Sequence, residues 1–169
     1  MSGMRVPGVS NSSPLLYLSA LGDLDFLPAL FGEITIPQAV WQELVIDGRG
    51  KPGAAELERA RGDWLAVRVV SNRGAVAELT SQRLQLGESE AIVLAEEMSE
   101  RAVYMDDEFA VREARLRGFV VFRTPAIYNA AKEQGWIERV QPKLDQLRAS
   151  GFRLRGIHYQ MILRDAKEL

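Results

Sequence analysis

The sequence predicts an α/β fold in which helices cover both faces of a mainly parallel sheet of about four or five strands. Short apolar runs rich in β-branched residues alternate along the chain with longer stretches of helical periodicity. Strand–helix alternation of this kind is typical of parallel sheets, because each helix carries the chain back to the same end of the sheet. The expected architecture is therefore three layers, helix–sheet–helix.

The individual elements follow from their patterns and end signals. The first strand is predicted at 6–10, and a short helix follows at 14–20 with Ser12 or Ser13 as its cap. Thr124 is predicted to cap the helix that begins at Pro125. The remaining strands are predicted at 33–36, 64–70, 102–105 and 119–122, and the remaining helices at 25–31, 37–45, 54–61, 75–84, 88–100, 108–117, 125–135, 142–150 and 157–167.

Length and composition predict one domain. A chain of 169 residues is long enough to bury a core without disulfides, and it has no cysteine. No linker or repeat divides it, so residues 1–169 are expected to form a single unit, with 140–169 as a candidate helical appendage. Residues 1–7 are expected to be a loose leader. The lack of cysteine, of a secretory signal and of a membrane-length apolar run favours a cytoplasmic protein.

Composition also narrows the chemistry. The chain has one histidine, His158, so a zinc site with several histidines is excluded. His158 itself is expected to be structural or at the surface. A metal site would need carboxylates and amides, which suit Mg²⁺ and Mn²⁺. The net charge of −2 argues against a general nucleic-acid-binding surface. The late segment is locally basic and could form a groove that binds phosphate, or these side chains could simply face solvent on the helices. The basic residues are Arg139, Lys143, Arg148, Arg153 and Arg155.

Several common α/β classes are not supported. The sequence has no glycine-rich dinucleotide fingerprint after the first strand, no phosphate-binding P-loop and no nucleophile elbow. In a parallel sheet, ligands bind beyond the carboxyl ends of the strands, so we looked for polar residues there. The candidates are Asn11 after the first strand, Glu43 in the helix after the second, Glu88 and Glu90 at the start of a mid-chain helix, and Asp106 and Asp107 after the strand at Val103.

Most of these residues also have a purely structural interpretation. Glu88 and Glu90 lie in a first helical turn, where the helix dipole favours carboxylates. Asp107 is a good cap for the helix that begins at Glu108, and Asn11 is a common turn residue. Asp106 is the strongest functional candidate, because it ends an apolar strand at the edge where sites form.

Four segments, taken together, resemble PIN-domain proteins, with greatest similarity to a PIN-like branch near the VapC-type toxin ribonucleases. They are Val9-Ser10-Asn11-Ser12-Ser13-Pro14-Leu15-Leu16, Ile36-Pro37 through Glu43-Leu44, Gly87-Glu88-Ser89-Glu90-Ala91-Ile92, and Asp106-Asp107. The resemblance spans about residues 9–165. It implies metal ligands or catalytic acids at Asn11, Glu43, Glu88 (with Glu90 as the rival) and Asp106, with Asp107 as an auxiliary member and Ser13 in support.

The resemblance implies a Mg²⁺- or Mn²⁺-dependent endoribonuclease, with RNA as substrate, an antitoxin protein as partner and a homodimer as assembly. The apolar early helices are candidates for the dimer surface. Asn11 departs from the family pattern, in which an Asp is expected. Asn keeps an oxygen ligand but lacks the negative charge, so metal affinity should fall. The alternative is a catalytically weak PIN-fold module that binds RNA or a protein.

Overall fold

The protein forms a five-stranded, fully parallel sheet with helices on both faces, as the sequence predicts. The structure is a computed structural model that describes residues 6–169, so most of the leader expected at 1–7 lies outside the described residues. The strand order across the sheet is β3-β2-β1-β4-β5. The strands are β1 (Gly8–Ser10), β2 (Ile34–Pro37), β3 (Leu65–Arg68), β4 (Ala102–Tyr104) and β5 (Val120–Phe122).

Ten α-helices connect and cover the strands within the described part of the chain. They are α1 (Ser12–Ala20), α2 (Phe26–Phe31), α3 (Gln38–Trp41), α4 (Ala54–Ala60), α5 (Arg73–Thr80), α6 (Leu86–Glu97), α7 (Glu108–Leu116), α8 (Thr124–Glu133), α9 (Gln141–Ala149) and α10 (Gly156–Asp165). A π-helical segment, Gln42–Ile46, continues directly from α3.

The middle of the sheet depends on close contact between β1 and β4. Gly8 and Val9 pair with Ala102 and Val103. A Cβ atom at Gly8 would lie 2.5 Å from the carbonyl oxygen of Ala102, so only glycine allows the two backbones to approach this closely. Every residue of both strands is buried, which explains why neither strand alternates between apolar and exposed polar residues.

Each face of the sheet has its own hydrophobic cluster. On one face, α5, α6 and α7 pack against Val9 and Val103. On the other, α1, α2 and α8 pack against Ile34, Ile36 and Tyr104. The last thirty residues belong to this second cluster, because their buried apolar side chains are part of it: Val140, Leu144, Leu147, Phe152 and Leu163.

Three local predictions were wrong, and in two of them a side-chain hydrogen bond explains the difference. The helix predicted at 14–20 begins at Ser12, and its cap is Asn11, whose Oδ1 accepts from the Ser13 backbone N–H at 3.3 Å. Thr124 is the first residue of α8 rather than its cap, since its hydroxyl donates to Asp106 at 2.6 Å. The helix predicted at 37–45 changes to π geometry at Gln42.

The strand order places a crevice at one point of the sheet. The chain leaves β1 toward β2 on one side, and β4 then pairs with the other side of β1. Beyond the carboxyl ends of two such strands the connections diverge, which opens a binding crevice. Asn11 follows β1 and Asp106 lies two residues after β4, so both lie at the carboxyl edge where such a crevice is expected. None of the helices within residues 6–169 has the length and apolar character needed to cross a membrane.

Candidate functional site

Asp106 is at the centre of the candidate site and is held by neutral donors. Its Oδ2 accepts from the Ser13 hydroxyl at 2.7 Å and from the Thr124 hydroxyl at 2.6 Å. Its Oδ1 accepts from the Thr124 backbone N–H at 2.8 Å. The side chain of Arg123 donates to the Asp106 backbone carbonyl at 2.6 Å. One carboxylate therefore connects the ends of β1, β4 and β5.

These neutral donors do not fully offset the burial of the carboxylate. Burial raises the pKa of Asp106, while the hydrogen bonds from Thr124 and Ser13 and the charge of Arg123 lower it, and the net shift is upward. The Tyr17 hydroxyl lies close enough for the charge of Asp106 to help raise the pKa of Tyr17, after burial as the main cause. Asp106 is thus a carboxylate whose negative charge is incompletely compensated by the protein.

The start of α1 connects Asn11 and Glu43 to Asp106. Asn11 is 3% exposed and orients the first turn of α1 as its cap. The two serines of that turn point to two acids: Ser13 donates to Asp106, and the Ser12 hydroxyl donates to Glu43 Oε2 at 2.6 Å. Glu43 lies in the π-helical segment, where the wider turn sets its direction.

Glu88 completes the acidic neighbourhood. It closes a capping box at the start of α6, where its Oε2 accepts from the Gln85 backbone N–H at 3.0 Å. Burial raises the pKa of Glu88, the bond from Gln85 lowers it, and the charges of Asp107 and Glu43 raise it further, with a net upward shift. Glu43 Oε2 lies 3.8 Å from the position that a Cβ atom at Gly87 would take, so Glu43 is a neighbour of the start of α6.

Glu90, the rival of Glu88, has a different environment. It is 4% exposed, and its Oε1 accepts from the Ala39 backbone N–H at 3.1 Å. Its Oε2 forms a salt bridge with Arg73 at 3.0 Å. Both oxygens are used to join α6 to α3 and α5. Asp107, in turn, caps α7 through bonds to the backbone N–H groups of Phe109 and Ala110 at 3.0 and 3.1 Å.

A comparison with known families gives the class of this arrangement. A family model, DUF3368, described as a PIN domain, matches residues 7–168. The chain belongs to the PIN-domain family. No curated protein shows significant similarity to it. The five-stranded parallel sheet is in keeping with the three-layer PIN fold. The match does not distinguish the VapC-like branch from other PIN proteins.

The donor atoms at the candidate site of this PIN domain suit a hard divalent ion. Its acidic side chains, however, do not form a dense cluster. Its donors are carboxylate and amide oxygens, the ligands that Mg²⁺ and Mn²⁺ prefer. Within residues 6–169, however, no three Asp, Glu or His side chains lie close enough together to share an ion. Mg²⁺ often uses only one or two protein carboxylates and keeps its other ligands as water or substrate phosphate. The residues present fit that looser mode of binding.

Sequence reasoning missed three residues that hold the site together. Thr124 and Arg123 follow β5, and both bind Asp106. The strand-end rule would have found them, because β5 neighbours β4 at the same edge. Ser12 was considered only as a cap, although it donates to Glu43. No sequence signal indicates that its hydroxyl crosses to another helix.

Proposed function

We propose that this PIN domain is a divalent-metal-dependent ribonuclease whose acids are Asp106, Glu43 and Glu88. The single observation that supports it most is that two serines in the first turn of α1 bind two acids at the carboxyl edge of the sheet, Ser13 to Asp106 at 2.7 Å and Ser12 to Glu43 at 2.6 Å. Carboxylates that repel one another without a paired cation are costly to a fold, and a bound cation removes that cost. Perturbed carboxylates in a strand-end crevice are typical of functional sites.

The reaction is the hydrolysis of a phosphodiester: water adds to phosphorus, the ester P–O bond breaks, and the leaving oxygen takes a proton. A bound Mg²⁺ or Mn²⁺ would supply positive charge for the phosphate and acidify water. Asp106 would hold it, with Asn11, Glu43 and Asp107 in support, and Glu88 would stay outside the ligands of the ion. Ser13 and Thr124 fix the direction of Asp106. Glu88, with its raised pKa, is suited to accept a proton from the attacking water.

The choice between Glu88 and Glu90 gives a direct test. Glu88→Gln keeps the capping box, which Gln also forms, and removes only the charge. Glu90→Gln keeps an oxygen for Ala39 but weakens the salt bridge to Arg73. Cleavage of a labelled RNA should depend on added Mn²⁺, be blocked by a chelator, and fall at least about tenfold in Glu88→Gln. Glu90→Gln should lower the melting temperature and leave cleavage per folded molecule unchanged.

The opposite pattern, with loss in Glu90→Gln alone, would transfer the role to Glu90. Metal-independent cleavage, or none in wild type, would contradict the ribonuclease proposal. A second candidate, a module that binds RNA or protein without cleaving, is favoured by one observation: the neutral Asn11 uses its oxygen to cap α1, and no three acids converge within the described residues. Retained RNA binding without cleavage would support it.

A toxin role, an antitoxin partner and a homodimer rest on the resemblance to VapC-type proteins alone, and a cytoplasmic location rests on the composition of the sequence. The neighbouring reading frame tests the first two: a small upstream gene that encodes an antitoxin-like protein would favour them. Co-expression should then relieve growth inhibition by this chain. Sedimentation of the purified protein tests the dimer directly.

A further inference from the structure

An open groove of about 460 Å³ lies on the surface between α7 and α10. Five of its residues come from α7, one precedes α8, and one is the only histidine of the chain, on α10. The residues used below are Glu108, Arg112, Arg115, Leu116, Arg123 and His158. The positions on α7 are spaced at i, i+4, i+7 and i+8, which places them along one face of the helix.

The groove has the opposite charge to the whole chain. Its three arginines and one glutamate give a local charge of +2, whereas the chain carries −2. Within residues 6–169, none of the three arginines forms a salt bridge. Arg117 on the same helix differs, because it pairs with both Glu96 and Glu113. The groove therefore collects guanidinium groups that have no carboxylate within salt-bridge distance in the described part of the chain.

The late basic residues that the sequence suggested as a phosphate groove do not line it. Lys143 is paired with Asp23 at 2.8 Å, and Arg139 lies 3.7 Å from Glu168. Arg148 donates to the Leu154 carbonyl and lies over the ring of Tyr159. Arg153 and Arg155 are exposed outside the groove.

Arg123 joins the groove to the candidate site. It lines the groove, and its Nη2 also donates to the backbone carbonyl of Asp106 at 2.6 Å. A ligand in the groove would thus contact the residue that holds the end of β4. His158 adds a ring N–H donor on the opposite wall, which even the neutral imidazole keeps.

We propose that this groove binds the phosphodiester backbone of single-stranded RNA and guides it to Asp106. Guanidinium groups match the planar, two-oxygen geometry of phosphate. A basic groove that ends at an acidic, phosphodiester-cleaving site would hold the phosphates next to the one to be cut. This inference deepens the proposed function and rests on it. An acidic protein segment is the competing ligand, and it has no need of the adjacent carboxylates.

The test measures binding separately from cleavage. A fluorescein-labelled 12-nucleotide RNA is titrated with the full chain in a chelator at several salt concentrations. The variant is Arg112→Gln with Arg115→Gln. The matched control is Arg49→Gln with Arg59→Gln, since these exposed arginines lie outside the groove and Arg59 occupies the last turn of α4 as Arg115 does of α7. Gln is a good helix former, so both variants should fold.

The groove variant should bind at least about tenfold more weakly at 50 mM salt, and the slope of log K against log salt should fall by about 1.4, since each lost contact to a single strand removes about 0.7. The control, with the same change in net charge, should bind like wild type. Equal loss in both variants would overturn the proposal, because it would reflect global charge only. Displacement of the RNA by polyglutamate at equal charge concentration would overturn it in favour of an acidic partner.

The proposal that the groove binds RNA and the proposal that the protein cleaves RNA can fail separately. Metal-dependent cleavage with unchanged binding in the groove variant would refute the groove alone. Groove-dependent RNA binding without cleavage under any metal would refute the ribonuclease and support a binding module.

Discussion

Two regions of this protein that hold partly buried carboxylates differ in how the negative charge is compensated. At the carboxyl edge of the sheet, Asp106 is held by the hydroxyls of Ser13 and Thr124, and Glu88 lies near other acids. At the far end of the chain, Glu168 accepts from Lys132 at 3.0 Å and from the Val140 and Gln141 backbone N–H groups at 2.7 and 3.1 Å. We call this second region the Glu168 clamp.

The direction of each pKa shift follows from the charge of the groups around the carboxylate. Burial tends to raise the pKa of Glu168, but the N–H of Val140 and the charge of Lys132 outweigh it and lower the pKa. The pKa values of Asp106 and Glu88 are raised, because neutral hydroxyls and neighbouring acids compensate less charge. An acid that is neutralised within the fold serves stability, whereas an acid left short of positive charge is ready for a cation or a proton.

Asp106→Asn should give the largest effect and the clearest separation of the two regions. It removes the central charge and should lower Mn²⁺-dependent RNA cleavage by more than the roughly 10–100-fold that the loss of an outer-shell partner costs. Stability should change by less than about 1 kcal/mol, since the hydroxyls of Ser13 and Thr124 can rotate to accept from the new amide. Cleavage kinetics and urea unfolding measure the two quantities.

Asp63→Asn is the matched control for that variant. Asp63 is exposed and lies just before β3, at the opposite edge of the sheet, so it loses the same charge far from the site. Its cleavage rate should equal that of wild type. Normal cleavage by Asp106→Asn would show that the site lies elsewhere.

Glu168→Gln should lower stability and leave cleavage unchanged, the reverse of Asp106→Asn. The loss of stability should be about 1.5–3 kcal/mol, which is the usual contribution of hydrogen bonds to a charged group. The folded pKa of Glu168 is lowered, so its stabilisation is complete above the unfolded pKa, about 4.3 for glutamate, and disappears as pH falls through the folded value. Urea unfolding at pH 7 and at lower pH measures this. A difference between wild type and variant that persists unchanged in acid would mean that lost packing, not charge, is responsible.

Asn11→Asp should have the smallest effect. The free energy of unfolding should fall by about 1 kcal/mol without metal and rise by about the same amount when Mn²⁺ is added. Asp caps a helix as well as Asn does, so α1 should be retained. The added charge, 3% exposed and next to the acids, should lower the melting temperature without metal. Mn²⁺ should restore it by linkage and should raise cleavage. If the variant gains neither, Asn11 serves only as a cap, and the binding-module interpretation becomes the better one.

Local patterns were enough to predict much of the fold and the place of two candidate site residues in it. The alternation of short β-branched runs with amphipathic stretches predicted the parallel sheet, and the strand-end rule located Asn11 and Asp106 at its carboxyl edge. Glu88 and Glu90 have the same residue type, lie in the same first turns of one helix and have the same propensity. Their environments differ because Arg73 and Ala39 lie beside Glu90 only.

The sequence by itself determined which segments become strands and helices, because hydrophobic periodicity and capping residues act over a few positions. Only the tertiary structure decided the partners of each charge. Thr124 lies 18 residues from Asp106, and Arg73 lies 17 residues from Glu90, so their contacts depend on strand order and helix packing rather than on local pattern. The basic groove has the same origin, since it combines one face of α7 with His158, more than forty residues later.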